Sequence, residues 1–600
     1  MNTLVRKTPS KALRIRWYRS TPIALLSASK IRCNSTEQKP IAHEKSFRGQ
    51  VYESVSSRLA RERQERKKYI EEREARPNKN YLEKTLLLLS VALIGYWLGT
   101  TRAEKYSTAS TIPIAATKPP RHNVGDANLQ AAWADFVEIV GKENVSTLEE
   151  DCRSHSSNSW STNHEKDSEK PFMVVYPKTT EEVSKIMKIC HRRLIPVTAY
   201  SGGTSLEGHF TATRGGICID FGRMEKVLEL NKEDMDVVVQ PGVRWEELNE
   251  RLAQDNLFFP PDPGPGAMIG GMVSTGCSGT NAFRYGTVRD WVLNMTVVLA
   301  DGTIIKTRQR PRKSSAGYDL TRIFIGSEGT LGLITEVTLK LTAKPETTSV
   351  AVCNFENIRD AAECAMKVVH SSNPIAAIEL LDDVQMRCVN TSGMTKRHWM
   401  ETPTLFFKFS GTPDSVNEQI QSVQRIAKLT GSKSFEFAKN QEEQNDLWSA
   451  RKQALWSTMA LRDNVDDRVW TTDVAVPFSR LLEIVEKTKE DINKNKLTAS
   501  ILGHLGDGNF HAIILYNEKQ RTIAEGIVKR MVKRAIDMEG TSTGEHGVGL
   551  GKRDYLNYEL GETTVDAMRK LKLAFDPLCI LNCDKVVRVE KPKPGEESTL

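Results

Sequence analysis

An α+β fold behind a single N-terminal membrane-spanning helix is what the sequence predicts, on three observations. Between Phe172 and Leu341, short β-type runs such as M-V-V-Y-P (173–177) and L-I-T-E-V-T-L-K-L (333–341) alternate with glycine-rich turns and a few helical stretches. From Thr348 to Ile501 strands and helices mix, and helices dominate the C-terminal part. A run of seventeen uncharged residues, Thr85 to Thr101, stands apart between Lys84 and Arg102. Six hundred residues exceed one ordinary core, so two or three folded units are expected. An apolar fraction of 39% and a charged fraction of 27% belong to a globular chain, neither disordered nor multi-span.

The segments follow in order. Residues 1–36 hold eight Arg and Lys and no acid, the pattern of a mitochondrial transit peptide. They carry the whole formal charge of +8. The remaining 76 basic residues match 76 acidic ones, so no nucleic-acid partner is expected. Residues 37–84 are dense in both signs of charge and predict a solvated helical segment. The run 85–101 would cover about 25 Å as a helix, the short end of a membrane span. Tyr96 and Trp97 suit an interfacial belt. A transit peptide followed by such a run resembles an inner-membrane sorting signal, with the bulk of the chain facing the intermembrane space. Residues 102–128 read as a linker, 129–345 as the first folded domain, 346–500 as a second α+β domain, 501–590 as a C-terminal catalytic segment with helices, and 591–600 as a disordered tail. The ten cysteines form no C-x-x-C pair, which argues against a zinc ribbon or a dithiol redox centre. Cys579 and Cys583 read as packed thiols.

Three glycine-rich segments carry chemistry. Ser201-Gly202-Gly203-Thr204-Ser205 follows a β-run and can turn backbone N–H groups and hydroxyls toward one point, as a pyrophosphate requires. In 260–286 prolines fix a loop, and small residues, among them Gly270, Gly271 and Gly279, leave room for a large planar ligand. I-G-S-E-G-T-L-G at 325–332 precedes a strand. No G-x-G-x-x-G opens a helix after a strand with an acid about 20 residues on. The stretch ending Gly551-Lys552 lacks both the first glycine and the final hydroxyl of a phosphate loop, having His546 and Arg553 there.

Near the C-terminus, G-H-L-G-D-G-N-F-H (503–511) suggests a hairpin that brings His504 and His511 to one end of paired strands. T-S-T-G-E-H-G-V-G (541–549) adds Glu545 and His546. Two imidazoles and a carboxylate suit zinc, with manganese as the alternative.

P-K-T-T-E-E-V (177–183), Y-S-G-G-T-S-L-E-G-H (200–209), Q-P-G-V (240–243), I-G-G-M-V-S-T-G (269–276) and G-S-E-G-T-L-G (326–332), in this order, resemble the two-subdomain, PCMH-type FAD-binding domain of the vanillyl-alcohol oxidase superfamily. The resemblance implies that Ser201 to Ser205 hold the pyrophosphate and that Gly270, Gly271, Thr275, Gly279 and Ile334 lie along the flavin. His209 departs from the position used for covalent attachment, so FAD is expected to be bound non-covalently. The two C-terminal motifs resemble those of FAD-dependent D-2-hydroxy acid dehydrogenases, whose D-lactate branch fits best across 130–590. Carried over, His504, His511 and Glu545 would bind the metal, His546 would be the general base with an ordinary pKa of about 6.5, and Asn509 would face the substrate. In the segment 449–462, Arg451 would clamp the carboxylate through its planar fork. The 2-hydroxyglutarate branch would have lysine where Thr471 stands. The family's closing N-P-G-K is here Asn582-Cys583-Asp584-Lys585, which keeps Asn582 as a cofactor contact but changes the turn. The resemblance further implies D-lactate as substrate, cytochrome c as electron acceptor and attachment to the mitochondrial inner membrane. Rival readings are a D-2-hydroxyglutarate dehydrogenase, a flavin-containing ether-lipid synthase that performs no net redox change, and a non-catalytic membrane scaffold.

Overall fold

The structure, a computed structural model, describes residues 47–75, 80–102, 109–163, 166, 168–462, 464 and 467–593. The expected transit peptide at 1–36 lies outside the described residues, as does most of the expected tail at 591–600. The chain divides into two units at Ser107 and Thr108.

The N-terminal unit has two helices, Phe47–Glu74 and Asn80–Arg102. Phe47–Glu74 is charged all round, and its described side chains are exposed. The uncharged run 85–101 does lie in Asn80–Arg102. However, among the described residues no helix is long and apolar enough to cross a membrane. The run reaches about 25 Å against a hydrocarbon core of about 30 Å. The expectation of a single membrane-spanning helix rested on a run at the short end of the accepted length, and the structure does not support it.

The second unit holds three main sheets. The first orders Val145–Ser146, Met173–Val175, Ile217–Asp220 and Val197–Tyr200, with its three longer strands parallel. Helices Asp126–Val140 and Thr180–Arg193 pack over it through Phe136, Ile186 and Met187. Thr179 caps the second helix by accepting from the Glu182 N–H, and Leu194 ends it in a left-handed turn. The second sheet is antiparallel, in the order Val227–Asn231, Asp236–Val239, Leu333–Lys340, Val292–Val298, Ile304–Lys306. Its core gathers Val237, Met295, Phe324 and Val337 with helix Ile269–Thr275. These two layers are the α+β pair expected over 129–345.

The third sheet has eight antiparallel strands. Seven run in the order Ser434–Phe437, Thr347–Asn354, Thr404–Gly411, Ala377–Leu381, Ala499–His504, Asn509–Tyr516 and Arg468–Thr471, and Val474–Ala475 pairs with Asn509–Tyr516 off this path. Helices Ile358–Val369, Pro413–Leu429, Phe478–Asn495 and Arg521–Asp537 cover one face around Phe407, Phe409 and Phe510. Helices Asp383–Ser392 and Gln441–Lys452 cover the other face around Phe406 and Trp448. The boundary expected at 500/501 falls inside a central strand of this sheet, Ala499–His504. The histidine hairpin is therefore part of the second domain and not a separate segment. Period-2 burial is absent because both faces of that strand are covered.

The chain then returns to the first domain. Val197 N–H donates to Ile580 O and Asn582 N–H to Val197 O, at 2.7 Å each, which adds 580–582 beside strand Val197–Tyr200. Cys579 and Cys583 are buried free thiols, as expected. In the changed closing turn Asp584 occupies a left-handed backbone position, φ 74°, that the family motif gives to glycine. Arg214 clamps it, with Nε to Oδ2 at 2.6 Å and an Nη to Oδ1 at 2.9 Å. Burial alone would favour the neutral acid, but Arg214 outweighs it and holds the Asp584 carboxyl well below its usual range. A folded pKa below the unfolded one gives a contribution that is complete above about pH 4 and is lost as pH falls through the folded value. Asp584→Asn should therefore flatten the acid limb of the stability curve. Thermal midpoints measured from neutral pH downward test this, and parallel losses in both proteins would contradict it.

Candidate active site

A cleft lies between the first two sheets. Its walls include Ser201, Gly202, Gly203, Thr204 and Ser205 from the loop after strand Val197–Tyr200, Gly270, Gly271 and Thr275 from helix Ile269–Thr275, and Ile334 from the central strand. Among the described residues no acceptor takes the N–H groups of Gly202, Gly203, Thr204 or Ser205. That leaves them free for an anionic group. A Cβ on Gly270 would stand 2.5 Å from the Pro241 side chain, and one on Gly202 2.9 Å from Gly266 O. The cradle is shaped by residues without side chains, and it fits FAD.

Two expected cofactor residues are placed differently. Gly279 does not line the cleft; its φ of 152° serves a close approach to Asp262, where a Cβ would meet Oδ1 at 2.6 Å. Asn582 stands behind the wall, donating to His209 O at 2.9 Å and Glu328 O at 2.7 Å, with Oδ1 buried and unpartnered. His209 itself lines the cleft, and both its ring nitrogens are buried without a hydrogen-bond partner.

The histidine hairpin forms as expected. His504 Nδ1 lies 2.7 Å from Glu379 Oε1, and His511 Nδ1 lies 2.9 Å from Thr472 O. A carbonyl only accepts, so His511 carries its proton on Nδ1; a carboxylate draws the His504 proton the same way. Both Nε2 atoms are thereby left as donors of electron pairs. They converge on Glu545 Oε1, at 3.2 Å from His504 and 3.3 Å from His511. Nitrogen donors oriented by outer acceptors, facing one carboxylate oxygen, fit a divalent ion. With no ion between them, Glu379 and Glu545 outweigh burial and raise the His504 pKa well above the usual value, so an ion there would take the place of the Nε2 proton.

Glu379 was not foreseen from sequence. It is buried in strand Ala377–Leu381 and also accepts from Arg451 Nε at 2.8 Å. One carboxylate thus ties the expected substrate clamp to the expected metal ligand. Arg451 keeps its Nη fork uncommitted among the described residues.

Asp473 organises the rest and was also missed. Buried between strands, its carboxylate accepts from Asn509 Nδ2 at 2.7 Å, Thr543 Oγ1 at 2.8 Å, and the N–H groups of Glu545 and His546 at 3.0 and 2.9 Å. Burial would raise its pKa, but Lys552 and these donors hold the carboxyl well below the usual range. Asn509 commits its amide nitrogen to Asp473 and to Val474 O and leaves its buried Oδ1 without a hydrogen-bond partner among the described residues. His546 stacks on His511, centroids 5.0 Å apart and planes 9° apart. Burial drives its pKa from the ordinary 6.5 down to about 3, so the ring is neutral.

The loop 541–549 meets the cleft through Glu328, a wall residue that accepts from the N–H groups of Val548 at 2.6 Å and Gly549 at 2.8 Å. The loop that carries Glu545 and His546 therefore sits against the cofactor cleft.

Residues 171–308 match the family model described as "FAD binding domain", and residues 344–586 the one described as "FAD linked oxidases, C-terminal domain". Over 515 residues the chain is 51% identical to the mitochondrial D-lactate dehydrogenase (cytochrome) of Kluyveromyces lactis, across 84% of this chain and 89% of that protein. It is 47% identical over 499 residues to the mitochondrial D-lactate dehydrogenase (cytochrome) 1 of Saccharomyces cerevisiae, across 81% and 85%. Among solved structures, 4-ethylphenol oxidase from Gulosibacter chungangensis superposes with a TM-score of 0.64 at 18% identity, covering 79% of this chain and 99% of that one. An alkyldihydroxyacetonephosphate synthase gives 0.59 at 18%, covering 80% and 89%. At that identity the likeness is one of fold.

Asp473→Ala would remove one of the two carboxylates beside the buried Lys552 ammonium and release the 541–549 loop, at a cost of about 3–5 kcal/mol. Denaturant midpoints and the rate of proteolytic cleavage within 541–549 measure it; an unchanged midpoint with an uncut loop would contradict the assignment.

Proposed function

Because the chain belongs to the FAD-linked oxidase family that includes the mitochondrial cytochrome-type D-lactate dehydrogenases, we propose that it oxidises D-lactate to pyruvate and delivers the electrons to cytochrome c. The observation that carries this reading is the convergence of His504 and His511 on Glu545, with His546 stacked alongside, against the wall of the FAD cleft.

FAD, held non-covalently by Ser201 to Ser205, Gly270, Gly271, Thr275 and Ile334, supplies the hydride acceptor when bound. A divalent ion, zinc or alternatively manganese, held by His504, His511 and Glu545, supplies a Lewis acid that eases loss of a hydroxyl proton. The chain's own work is positional. Arg451 grips the lactate carboxylate with its Nη fork while Glu379 fixes the guanidinium through Nε. His546 takes the C2 hydroxyl proton on a ring that burial keeps neutral. Holding carboxylate, hydroxyl and C2–H in one orientation contributes up to about 7–11 kcal/mol of barrier lowering. Thr471 is buried in strand Arg468–Thr471 where a lysine would serve a second carboxylate, which favours a monocarboxylate. The acid-free basic residues 1–36 and the names of the relatives support a mitochondrial location.

Anaerobic reduction of the bound flavin by D- and L-lactate, before and after chelation, is the direct test. Fast bleaching by the D enantiomer alone, abolished by chelation and restored by zinc or manganese, is expected; equal bleaching by both enantiomers would defeat the substrate assignment. His546→Asn should keep flavin and metal yet slow reduction by about 10² or more. Arg451→Lys should chiefly raise KM for lactate, and an unaltered KM would place the clamp elsewhere.

A further inference from the structure

Glu207 closes the glycine-rich loop that begins at Ser201, but its buried side chain points away from the cleft wall. Its Oε2 accepts from Thr162 Oγ1 at 2.9 Å. Its Oε1 faces Lys552 Nζ at 3.5 Å and His546 Nδ1 at 4.0 Å. The backbone is joined too: Glu207 O accepts from the N–H groups of Leu550 at 2.8 Å and Gly551 at 3.2 Å. A Cβ on Gly549 would stand 2.2 Å from Glu207 O, and one on Gly551 2.4 Å from Oε2. The loop that carries the base is therefore moulded onto this residue. His546 Nδ1 is sealed from solvent and has no hydrogen-bond partner.

We propose that Glu207 is a positioning residue for the oxidation: Oε1 accepts the Nδ1–H of His546 in the substrate-bound enzyme and so selects the tautomer whose Nε2 is bare. The inference rests on the reading of His546 as the base. Hydrogen bonds of catalytic groups are commonly long before substrate binds and shorten in the complex, and the contraction needed here is about 1 Å. The proton balance is simple. The substrate hydroxyl gives its proton to Nε2, while Nδ1 keeps its own proton on Glu207 Oε1. Glu207 is also two residues from Ser205, so one short stretch of chain both frames the cofactor cradle and orients the base.

The test uses the full-length flavoprotein. Glu207→Gln presents an amide that can donate to Nδ1 and favour the wrong tautomer. The limiting rate of flavin reduction by D-lactate should fall about tenfold or more, with KM, bound FAD and melting temperature unchanged. Glu207→Asp keeps the charge beside Lys552 but is shorter by one methylene, and it should slow the same step. A wild-type limiting rate in Glu207→Gln, with His546→Asn inactive, overturns the role of Glu207 and leaves the base in place. A wild-type rate in His546→Asn overturns the base reading itself. Loss of FAD or of melting temperature in both Glu207 variants, with a normal rate per bound flavin, assigns the residue to folding alone and also overturns the proposal.

Discussion

One buried carboxylate, that of Asp473, holds the chemistry together. It lies on the short connection between strands Arg468–Thr471 and Val474–Ala475 and collects donors from places far apart in sequence: Asn509 on the hairpin, Thr543, Glu545 and His546 on the later loop, and Lys552 beyond it. An anion so placed is costly unless every lone pair is used, and this one is stable only with the loop folded over it. The same bonds that satisfy Asp473 aim Glu545 at the two imidazoles and lay His546 on His511. Local geometry and electrostatics are therefore one constraint.

Other acids extend it. Glu379 couples the Arg451 guanidinium to His504, so the orientations of the proposed substrate clamp and of a proposed metal ligand depend on each other. Glu328 reaches from the cleft wall to the N–H groups of Val548 and Gly549, and Glu207 from the cradle loop to the same stretch. Buried carboxylates with charged or N–H partners are rigid connections, and two of them, Glu328 and Glu207, join the cofactor layer to residues 546–552. Arg284, donating to Ser410 O at 2.7 Å, adds a further link between those layers. Cofactor binding and assembly of the base are built on shared residues.

The cradle and the hairpin were legible because their chemistry is local. Paired glycines after a strand, and two histidines flanking a glycine-rich turn, declare themselves within ten residues. Glu379, Asp473, Glu328 and Glu207 were not legible. Each is an ordinary acid in its own segment and acquires a role from partners 36 to 345 residues away. The bracing of Asn509 was hidden for the same reason, since its amide nitrogen is held by Asp473 from a neighbouring segment. The run 85–101 failed differently, because freedom from charge does not supply the length of a span. The pKa of His546 also escaped, because a composition does not reveal how deeply a ring is buried.

What the sequence by itself determined is the type of fold and the inventory of reacting groups, because glycine freedom, strand patterning and the donor character of His, Glu and Arg belong to the residues themselves. What only the tertiary structure decided is which nitrogen of each histidine is bare, which acids are buried and therefore directive, and that the last residues return to the first sheet. Those outcomes depend on desolvation and on donors meeting across long separations, and both exist only once the chain has packed.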